Sequence, residues 1–208
     1  MEDIHFLREV EENGIKIDFK LCEELEQKAD RTIEELNGTI RNLAGGYNFN
    51  LDSGVHKSAM LYGGSFEVDD YENYERVLKS GKVSVKRRKI KRPIKFPRII
   101  APLPNSELKT EGVFSTDKEN LTKLSWKAKG KAKKIIDLLL ERAWISYLKK
   151  MYYTGFRKIY VNMGWDDDIV HTNMNQTVTS TGRPSSSKPN IQNMSGDFRE
   201  CIRTRKKQ

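Results

Sequence analysis

A polar stretch near the carboxyl end of the chain, "TVTSTGRPSSSKPNIQN" at residues 177–193, carries the side chains best suited to recognition. It is rich in hydroxyls and amides, contains one arginine, Arg183, and has almost no core-forming side chains. Hydroxyls and amides can donate and accept hydrogen bonds, whereas a guanidinium only donates them. The stretch therefore predicts a surface that contacts a polar ligand, and an ordinary surface loop is the alternative.

A second candidate site is a run of positive charge between Lys79 and Arg98. Ten lysines and arginines fall in this run with no acid among them, while the whole chain has a formal net charge of +9. One segment therefore makes the chain basic. Such a run indicates contact with a polyanion such as a nucleic-acid backbone, and a solvated linker is the alternative. The candidate contact residues in it are Arg87, Arg88, Lys89 and Lys91.

Three consecutive acids, Asp166, Asp167 and Asp168, precede His171 and raise the question of a metal site. Consecutive carboxylates on a turn point apart, while a metal ion needs ligands that converge. We therefore interpret these residues as the turn of a β-hairpin. The sequence shows no nucleophile with a visible base, no Walker-type phosphate loop and no zinc pattern.

The composition narrows the class of protein. The chain of 208 residues is 37% hydrophobic, enough for one large or two small domains. It has no apolar run of the roughly 20 residues that span a bilayer, so we expect no membrane partner and a cytoplasmic location. Cys22 and Cys201 lie far apart and lack metal-ligand spacing, which predicts reduced, structural thiols.

Two long amphipathic helices are predicted to position the polar groups. The first begins after Asp18 and ends at Gly45, and the second follows Thr116 and Glu119, which have capping-box spacing. Helices with such wide apolar stripes most simply pack antiparallel. The first stripe is Leu21, Leu25, Ala29, Ile33, Leu36, Ile40 and Leu43. The second is Ile136, Leu139, Leu140, Ala143, Trp144, Tyr147, Leu148 and Met151.

Short strands are predicted around these helices. Alternation at Ile15–Ile17 indicates one strand, and the basic run, with Val83, Val85 and Ile90, suits an exposed two-stranded ribbon that ends where prolines begin at Pro93. A further strand is expected at Ile159, Val161 and Met163, paired across the aspartate turn with Ile169–His171. A brief helix is expected within "NFNLDSGVHKSAMLYGG". Together these elements predict an α+β fold.

Residues 171–193, "HTNMNQTVTSTGRPSSSKPNIQN", closely resemble the segment of family A, DNA polymerase I-like, DNA polymerases that carries the signature TGR-S-S-x-x-P-N-x-Q-N. Three other stretches resemble the family in the same order, namely "VEENGIKID", "NFNLDSGVHKSAML" and "STDKENLTKL". The resemblance covers nearly the whole chain except about residues 64–112.

The resemblance implies a helical thumb hairpin with a basic insertion, followed by short antiparallel strands that begin the palm. The implied boundaries are 1–17 for the lead-in of the polymerase domain, 18–158 for the thumb with its insertion at about 64–112, and 159–208 for the start of the palm. The implied function is the primer–template binding part of a DNA-directed DNA polymerase, which performs template-directed nucleotidyl transfer in DNA replication.

The resemblance also implies roles for individual residues. Arg183 is expected to reach the minor groove beside the primer terminus, although Pro184 replaces a bulkier apolar residue and biases Arg183 toward an extended backbone. On the second helix, Arg142, Lys149 and Lys150 are candidates for contacts with the DNA backbone, and the basic insertion could add phosphate contacts at the thumb tip. The residues expected to contact primer and template strands are Thr179, Thr181, Asn190, Gln192 and Asn193.

The catalytic aspartates of the family are expected beyond "GDFRECIRTRKKQ", which resembles the approach to the first of them. We therefore expect no catalytic or metal-binding residue in this chain, no activity of the chain alone, and Mg²⁺ in the complete enzyme. The expected partners are primer–template DNA and a catalytic remainder, encoded separately or joined after intron removal; a phage origin would fit. The alternatives are a free-standing, non-catalytic DNA-binding module and a truncated, inactive fragment.

Overall fold

The computed structural model of the protein describes residues 2–77, 83–176 and 183–204. They form two compact units. We call Met1–Glu34 with Ala143–Gln208 the sheet unit, and Glu35–Arg142 the arm unit. None of the helices in the described ranges is both long enough and apolar enough to cross a membrane.

The described elements are helices and short antiparallel strands, which confirms the α+β class. In chain order they are α1 (Glu2–Asn13), β1 (Ile15–Ile17), α2 (Phe19–Leu43), α3 (Gly54–Tyr62), β2 (Gly64–Val77), β3 (Val83–Phe96), α4 (Lys118–Lys127), α5 (Gly130–Leu148), a π-helical turn (Lys149–Tyr153), α6 (Thr154–Met163), β4 (Ile169–Val170), β5 (Asn173–Asn175), β6 (Ser185–Ser187), a 3₁₀ helix (Asp197–Cys201) and β7 (Ile202–Arg203).

The sheet unit is built around β1, which pairs antiparallel with both β4 and β7. Ile17 and Val170 of this sheet are fully buried, as is Phe198 of the 3₁₀ helix. Cys22 and Cys201 lie in the same core as free, buried thiols. A hydrogen bond with Cys201, together with burial, raises the pKa of Cys22. Two cysteines that are distant in sequence therefore contribute to one apolar core.

Helix α2 confirms the first predicted helix. The Asp18 carboxylate accepts a hydrogen bond from the Leu21 amide at 2.9 Å, which satisfies one of the amides left without a partner at a helix start. This hydrogen bond and the Arg203 guanidinium lower the pKa of Asp18. The helix ends at Leu43, and Gly45 and Gly46 follow with positive φ angles of 111° and 79°. The local sequence alone is sufficient to set both ends.

The second predicted helix is interrupted, which corrects the prediction of a continuous one. Helix α4 is capped by Asp117, which accepts from the Asn120 amide at 2.8 Å, rather than by Thr116. It ends at Lys127 because Ala128 is extended, and α5 begins at Gly130. The predicted apolar stripe also divides. Ile136, Leu139 and Leu148 are buried, whereas Trp144, Tyr147 and Met151 are 42%, 45% and 49% exposed.

The strand predicted at residues 159–163 is also wrong. These residues belong to α6, which follows the π-helical turn and ends where Gly164 adopts a left-handed conformation. The alternating side chains Val161 and Met163 are 67% and 52% exposed. Burial instead falls on Phe156, one helical turn before Tyr160, whose ring lies 4.5 Å from that of Phe19. The partner strand β4 pairs with β1 rather than across a hairpin.

Polar contacts within the sheet unit show that α2 runs antiparallel to the π-helical turn and the start of α6. Lys149 forms an ion pair with Asp30. Further along, the Thr154 hydroxyl donates to the Glu26 carboxylate at 2.7 Å. Arg157 then contacts Glu26 at 2.5 Å and Glu23 at 3.3 Å. Residue numbers rise along one segment as they fall along the other, as antiparallel helices require.

The arm unit carries a long two-stranded ribbon. Strand β2 pairs with β3 residue by residue, from Gly64 opposite Phe96 to Val77 opposite Val83. Strand β3 continues through Pro93, which corrects the prediction that regular structure ends there. A proline is tolerated because each strand of a two-stranded ribbon has an edge on which no amide hydrogen is needed. Phe66, Ile94 and Phe96 join the core of the unit.

Candidate nucleic-acid interface

The recognition loop, residues 183–193, is fixed to a short pair of strands. Strand β5 pairs with β6, so that Asn173 lies opposite Ser187 and Asn175 opposite Ser185. Beside them, the Thr172 side chain is 2% exposed, and its hydroxyl lies 2.7 Å from the Pro189 carbonyl oxygen, to which it donates. A buried hydroxyl that bonds the middle of the loop holds its backbone against the strand pair.

Ser186 is the centre of the hydrogen-bond network inside this loop. Its side chain is 4% exposed. The hydroxyl donates to the Asn190 carbonyl oxygen Oδ1 at 3.1 Å and accepts from the amides of Ile191 at 3.0 Å and Gln192 at 3.3 Å. One hydroxyl thus uses both its donor and its acceptor capacity to close a turn of seven residues, 186–192.

Two amide side chains predicted to contact DNA also build the loop. Oδ1 of Asn190 accepts from the backbone amides of Gln192 at 3.0 Å and Asn193 at 3.3 Å. The Gln192 side chain accepts from the Ser186 amide at 3.0 Å and donates through Nε2 to the Pro184 carbonyl, also at 3.0 Å. Their contacts with DNA stay predictions, while their contribution to the loop is an observed one.

Asn193 has a fixed backbone and an exposed side chain. Its carbonyl accepts a hydrogen bond from the Tyr152 hydroxyl at 2.9 Å. Burial and a hydrogen bond with Tyr147 raise the pKa of Tyr152, so this hydroxyl is held as a proton donor. The loop is therefore joined to the π-helical turn, and the Asn193 amide faces solvent.

Arg183 is exposed at the start of the described part of the loop. It precedes Pro184, whose carbonyl is bound by Gln192. The predicted contact residues Thr179 and Thr181 lie outside the described residues. The structure therefore brings Arg183 and Asn193 to the surface of one loop. The contacts of Thr179 and Thr181 with DNA stay predictions.

Asp167 and Asp168 form a turn before β4, although not the turn of the predicted β-hairpin, and the His171 side chain contacts the backbone of α1. Asp167 and Asp168 both have positive φ angles, 59° and 60°. The Nδ1 atom of His171 lies 2.8 Å from the Glu11 carbonyl oxygen, which fixes the imidazole against α1. Within residues 2–77, 83–176 and 183–204, no three His, Cys, Asp or Glu side chains converge as metal ligands.

The three helical cations predicted to meet the DNA backbone have different environments. Arg142 is buried, and its guanidinium donates to Asn37 at 2.6 Å and to Asp52 at 2.7 Å. Lys149 is paired with Asp30. Lys150 is exposed. Of the three predicted contacts with DNA, only that of Lys150 needs no existing contact to be broken among the described residues.

The four predicted cations of the ribbon are largely engaged by strand β2. Arg88 pairs with Glu72 and Lys89 with Asp69, each at 2.8 Å, and Lys91 pairs with Glu67 at 3.3 Å. The hydrogen bond that Lys89 donates to the Asp69 carboxylate raises the pKa of Lys89. The Arg87 guanidinium lies 4.2 Å from the centre of the Tyr71 ring. Exposed pairs of this kind add little stability, but they reduce the net charge of the ribbon.

Comparison with known proteins assigns these features to a family. The sequence model described as "DNA polymerase family A" matches residues 96–208, which is more than half of the chain. This chain belongs to DNA polymerase family A. The matched range contains the whole recognition loop and the helices α4 to α6, so the resemblance seen in residues 171–193 is confirmed.

Two similar relatives are "DNA polymerase I" of Synechocystis sp. and "DNA polymerase I, thermostable" of Thermus filiformis. The first is 28% identical over 199 residues, covering 95% of this chain and 16% of the relative. The second is 28% identical over 190 residues, covering 90% and 17%. The chain thus spans about a sixth of the length of these relatives.

A solved structure shares the fold of this chain. It is the "POL domain of Pol1 from M. smegmatis complex with DNA primer-template and dNTP", with a TM-score of 0.57 and 22% sequence identity. The match covers 94% of this chain and 27% of that one. At this identity the similarity establishes the arrangement of helices and strands.

Several residues that shape this family A loop are missed by sequence reasoning. Ser186, Thr172 and Tyr152 position its backbone, yet the sequence assigned none of them a role, although Ser186 is one of the two fixed serines of the signature TGR-S-S-x-x-P-N-x-Q-N. The signal that could have found Thr172 is its place beside His171 within the family-like stretch. Ser186 is one of three consecutive serines, and only the fold shows which of them is buried.

Replacing Ser186 by alanine is expected to loosen the loop without unfolding the chain. The change removes one donor and leaves the part-buried Ile191 amide without its acceptor, at a cost of about 1–3 kcal/mol, while the Gln192 amide keeps its bond to Asn190 Oδ1. Amide hydrogen exchange at Ile191 should accelerate about 10- to 100-fold, as that cost implies for local opening. The half-buried Ser185, replaced by alanine in the same strand, is the control. Equal exchange in the two variants would contradict the central role of Ser186.

Proposed function

We propose that this chain is the primer–template DNA-binding part of a DNA-directed DNA polymerase. The observation that supports it best is the recognition loop, in which Ser186 and Thr172 fix the backbone while Arg183 and Asn193 point outward. A loop held in this way presents a guanidinium and an amide at little cost in conformational entropy on binding. Its location inside the range matched by family A supports the same function.

The chemistry of these side chains suits a base-paired primer end. Every Watson–Crick pair presents purine N3 and pyrimidine O2 acceptors in the minor groove. The Arg183 guanidinium and the Asn193 amide can donate to such acceptors whatever the sequence, provided that the pair has its normal shape. In the proposal, Thr179 and Thr181 add contacts with the same strands. Asn190 and Gln192 shape the loop as well as touching DNA.

The thumb and palm division belongs to the same proposal. We assign residues 18–158, with the basic insertion at about 64–112, to a thumb that grips the duplex, residues 1–17 to the lead-in, and 159–208 to the start of the palm. These boundaries differ from those of the two compact units, because α2 and α5 each run through both units. Lys150 is the helical cation best placed to meet a phosphate, since it is exposed.

The metal chemistry of the family is assigned to another part of the enzyme. Family A polymerases generally use Mg²⁺, which stabilises charge as the primer hydroxyl attacks the incoming triphosphate. Among the described residues, no three His, Cys, Asp or Glu side chains converge as potential metal ligands. From the family resemblance, we propose that the catalytic carboxylates come from a catalytic remainder. The contribution of this chain is then to bind and orient the primer–template.

Primer extension tests this assignment. The 208-residue chain and a catalytic remainder from the same source would be purified separately and assayed alone and together with Mg²⁺ and nucleotides. We expect synthesis only when both are present. Metal-dependent extension by the chain alone would place the active site within it. Duplex binding without restored synthesis would favour a free-standing DNA-binding module, and failure to bind would favour an inactive fragment.

A further inference from the structure

The ribbon formed by β2 and β3 is divided into two halves by its charges. The base half pairs residues 64–70 with 90–96 and contains three acids and three bases. The distal half pairs residues 71–77 with 83–89 and contains two acids and five bases, an excess of three positive charges. The positive charge that the described part of the ribbon retains is therefore confined to its distal half.

Contacts support the same division. In the base half, Arg92 lies 3.0 Å from Asp70 and Lys91 lies 3.3 Å from Glu67. The acid Asp69 of this half also binds Lys89, across the border between the halves. The base half is attached to the core of the arm unit through Phe66, Ile94 and Phe96. Because its acids and bases are equal in number, we call it the neutral stalk.

The distal half offers cations that the rest of the described chain does not neutralise. Arg76 and Lys86 form no salt bridge with any described residue, and both are exposed. Arg87 lies over the Tyr71 ring, a contact that orients the guanidinium without cancelling its charge. Arg88 is the one cation here that pairs with an acid of the same half, Glu72.

The shape of the distal half fits a duplex groove. Seven residues at about 3.3 Å each make a rod roughly 23 Å long. The major groove of B-DNA, about 12 Å wide, admits a two-stranded ribbon. Side chains alternate between the faces of a strand, so Arg76, Lys86 and Arg88 lie on one face and Arg87 and Lys89 on the other. Cations on both faces can reach the phosphates on both walls of a groove.

We propose that the distal half of the ribbon lies along a groove of duplex DNA and binds its phosphates without regard to sequence. The inference deepens the proposed function and rests on it for the choice of duplex DNA as the polyanion. It also changes which cations of the ribbon are expected to contact phosphates. Arg76, Lys86 and Arg87 carry it, whereas Lys91, in the neutral stalk, does not.

Salt-dependent binding of the whole chain to a 24-base-pair duplex tests the proposal. The distal variant replaces Arg76, Lys86 and Arg87 by serine, and the stalk variant replaces Lys91, Arg92 and Lys95 by serine. Both lose three positive charges. Because each phosphate contact adds about 0.9 to the slope of log affinity against log salt, the distal variant should flatten the slope by about two to three units. The stalk variant should change it by less than about one unit.

The stalk variant is a stringent control, because it leaves Glu67 and Asp70 without their cations and so adds local repulsion toward DNA. Equal slopes in the two variants would show that only bulk charge matters and would overturn the proposal. An unchanged slope in the distal variant would overturn it too. Circular dichroism and thermal unfolding of both variants verify that the fold is kept.

Two further measurements identify the ligand. Replacing Arg76 and Arg87 by lysine keeps the charge and should keep the slope. The distal variant should lose more affinity for the duplex than for a single strand of the same length. Wild-type binding to polyglutamate, with duplex binding unaffected by the distal change, would assign the ribbon to an acidic protein instead. Failure of the primer-extension assay would not alter these equilibrium results, so the two proposals can fail separately.

Discussion

Replacing Arg183 by alanine is expected to slow extension of a correctly paired primer about 10- to 100-fold in the reconstituted polymerase. The loss is that of a charge-assisted hydrogen bond to a base edge, worth about 1–3 kcal/mol when its geometry is right. At a mismatched terminus the acceptors are displaced and the bond is already lost, so the same change should have little effect. Single-turnover extension from matched and mismatched primers measures the difference.

Lys188→Ala is the matched control for Arg183→Ala. Lys188 is an exposed cation of the same loop, and its removal changes the charge by the same amount. We expect it to slow matched and mismatched primers alike, and only slightly, because one exposed cation adds little to the overall attraction. If Arg183→Ala also slowed both primers equally, the residue would be a phosphate anchor and the proposed minor-groove role would be wrong.

Replacing Arg142 by alanine is expected to lower the free energy of unfolding by about 2 kcal/mol. The guanidinium is buried and bonds both Asn37 and Asp52, and its loss leaves the Asn37 oxygen without this donor. The cost should be below the 3–5 kcal/mol typical of a broken buried ion pair, since the Asp52 side chain is 75% exposed. The corresponding fall in Tm is about 4–8 °C.

Two variants separate the contacts of Arg142. Asp52→Asn keeps an acceptor and removes an exposed charge, so it should cost less than about 1 kcal/mol. Arg142→Lys keeps the charge but loses the donor that reaches Asn37, and it should recover only part of the stability. If Arg142→Ala left unfolding unchanged but weakened duplex binding, the backbone contact predicted from the sequence would be correct and the structural role wrong.

Local sequence determined the helices whose ends carry their own signals. Asp18 caps α2 with its side chain, and Gly45 and Gly46 take the positive φ angles that follow the helix. Ser53 similarly caps the short helix α3, where its hydroxyl accepts from the His56 amide at 3.4 Å. These interactions span three residues or fewer in sequence, so the amino-acid pattern alone contains them.

The family signature was also readable from the sequence, because a fixed series of residue types in one stretch needs no knowledge of the fold. The conformation of that stretch could not be predicted from the sequence. Asn190 and Gln192 were predicted to face DNA, yet their side chains bond the backbone of their own loop. Only the buried position of Ser186 shows that the loop closes on itself.

Where partners are distant in sequence, tertiary structure decided the outcome. The alternation at Val161 and Met163 predicted a strand, but Phe156, which is buried, and Tyr160, which is partly buried, lie one helical turn apart on one face of a helix. Tyr160 packs against Phe19 and Phe156 against Phe198, both distant in sequence. A period-two pattern over five residues is too short to separate strand from helix when the core contacts lie elsewhere.

The charge of the ribbon gives the clearest contrast between what the sequence determines and what the tertiary structure determines. The sequence established that the run from Lys79 to Arg98 makes the chain basic, because charge depends on composition alone. It did not establish where that charge remains available, since this depends on which acids lie across the ribbon. The pairing of β2 with β3 sets Glu67, Asp69 and Asp70 within reach of the basic strand and leaves the surplus at the distal half, because Coulomb attraction acts on distance in space rather than along the chain.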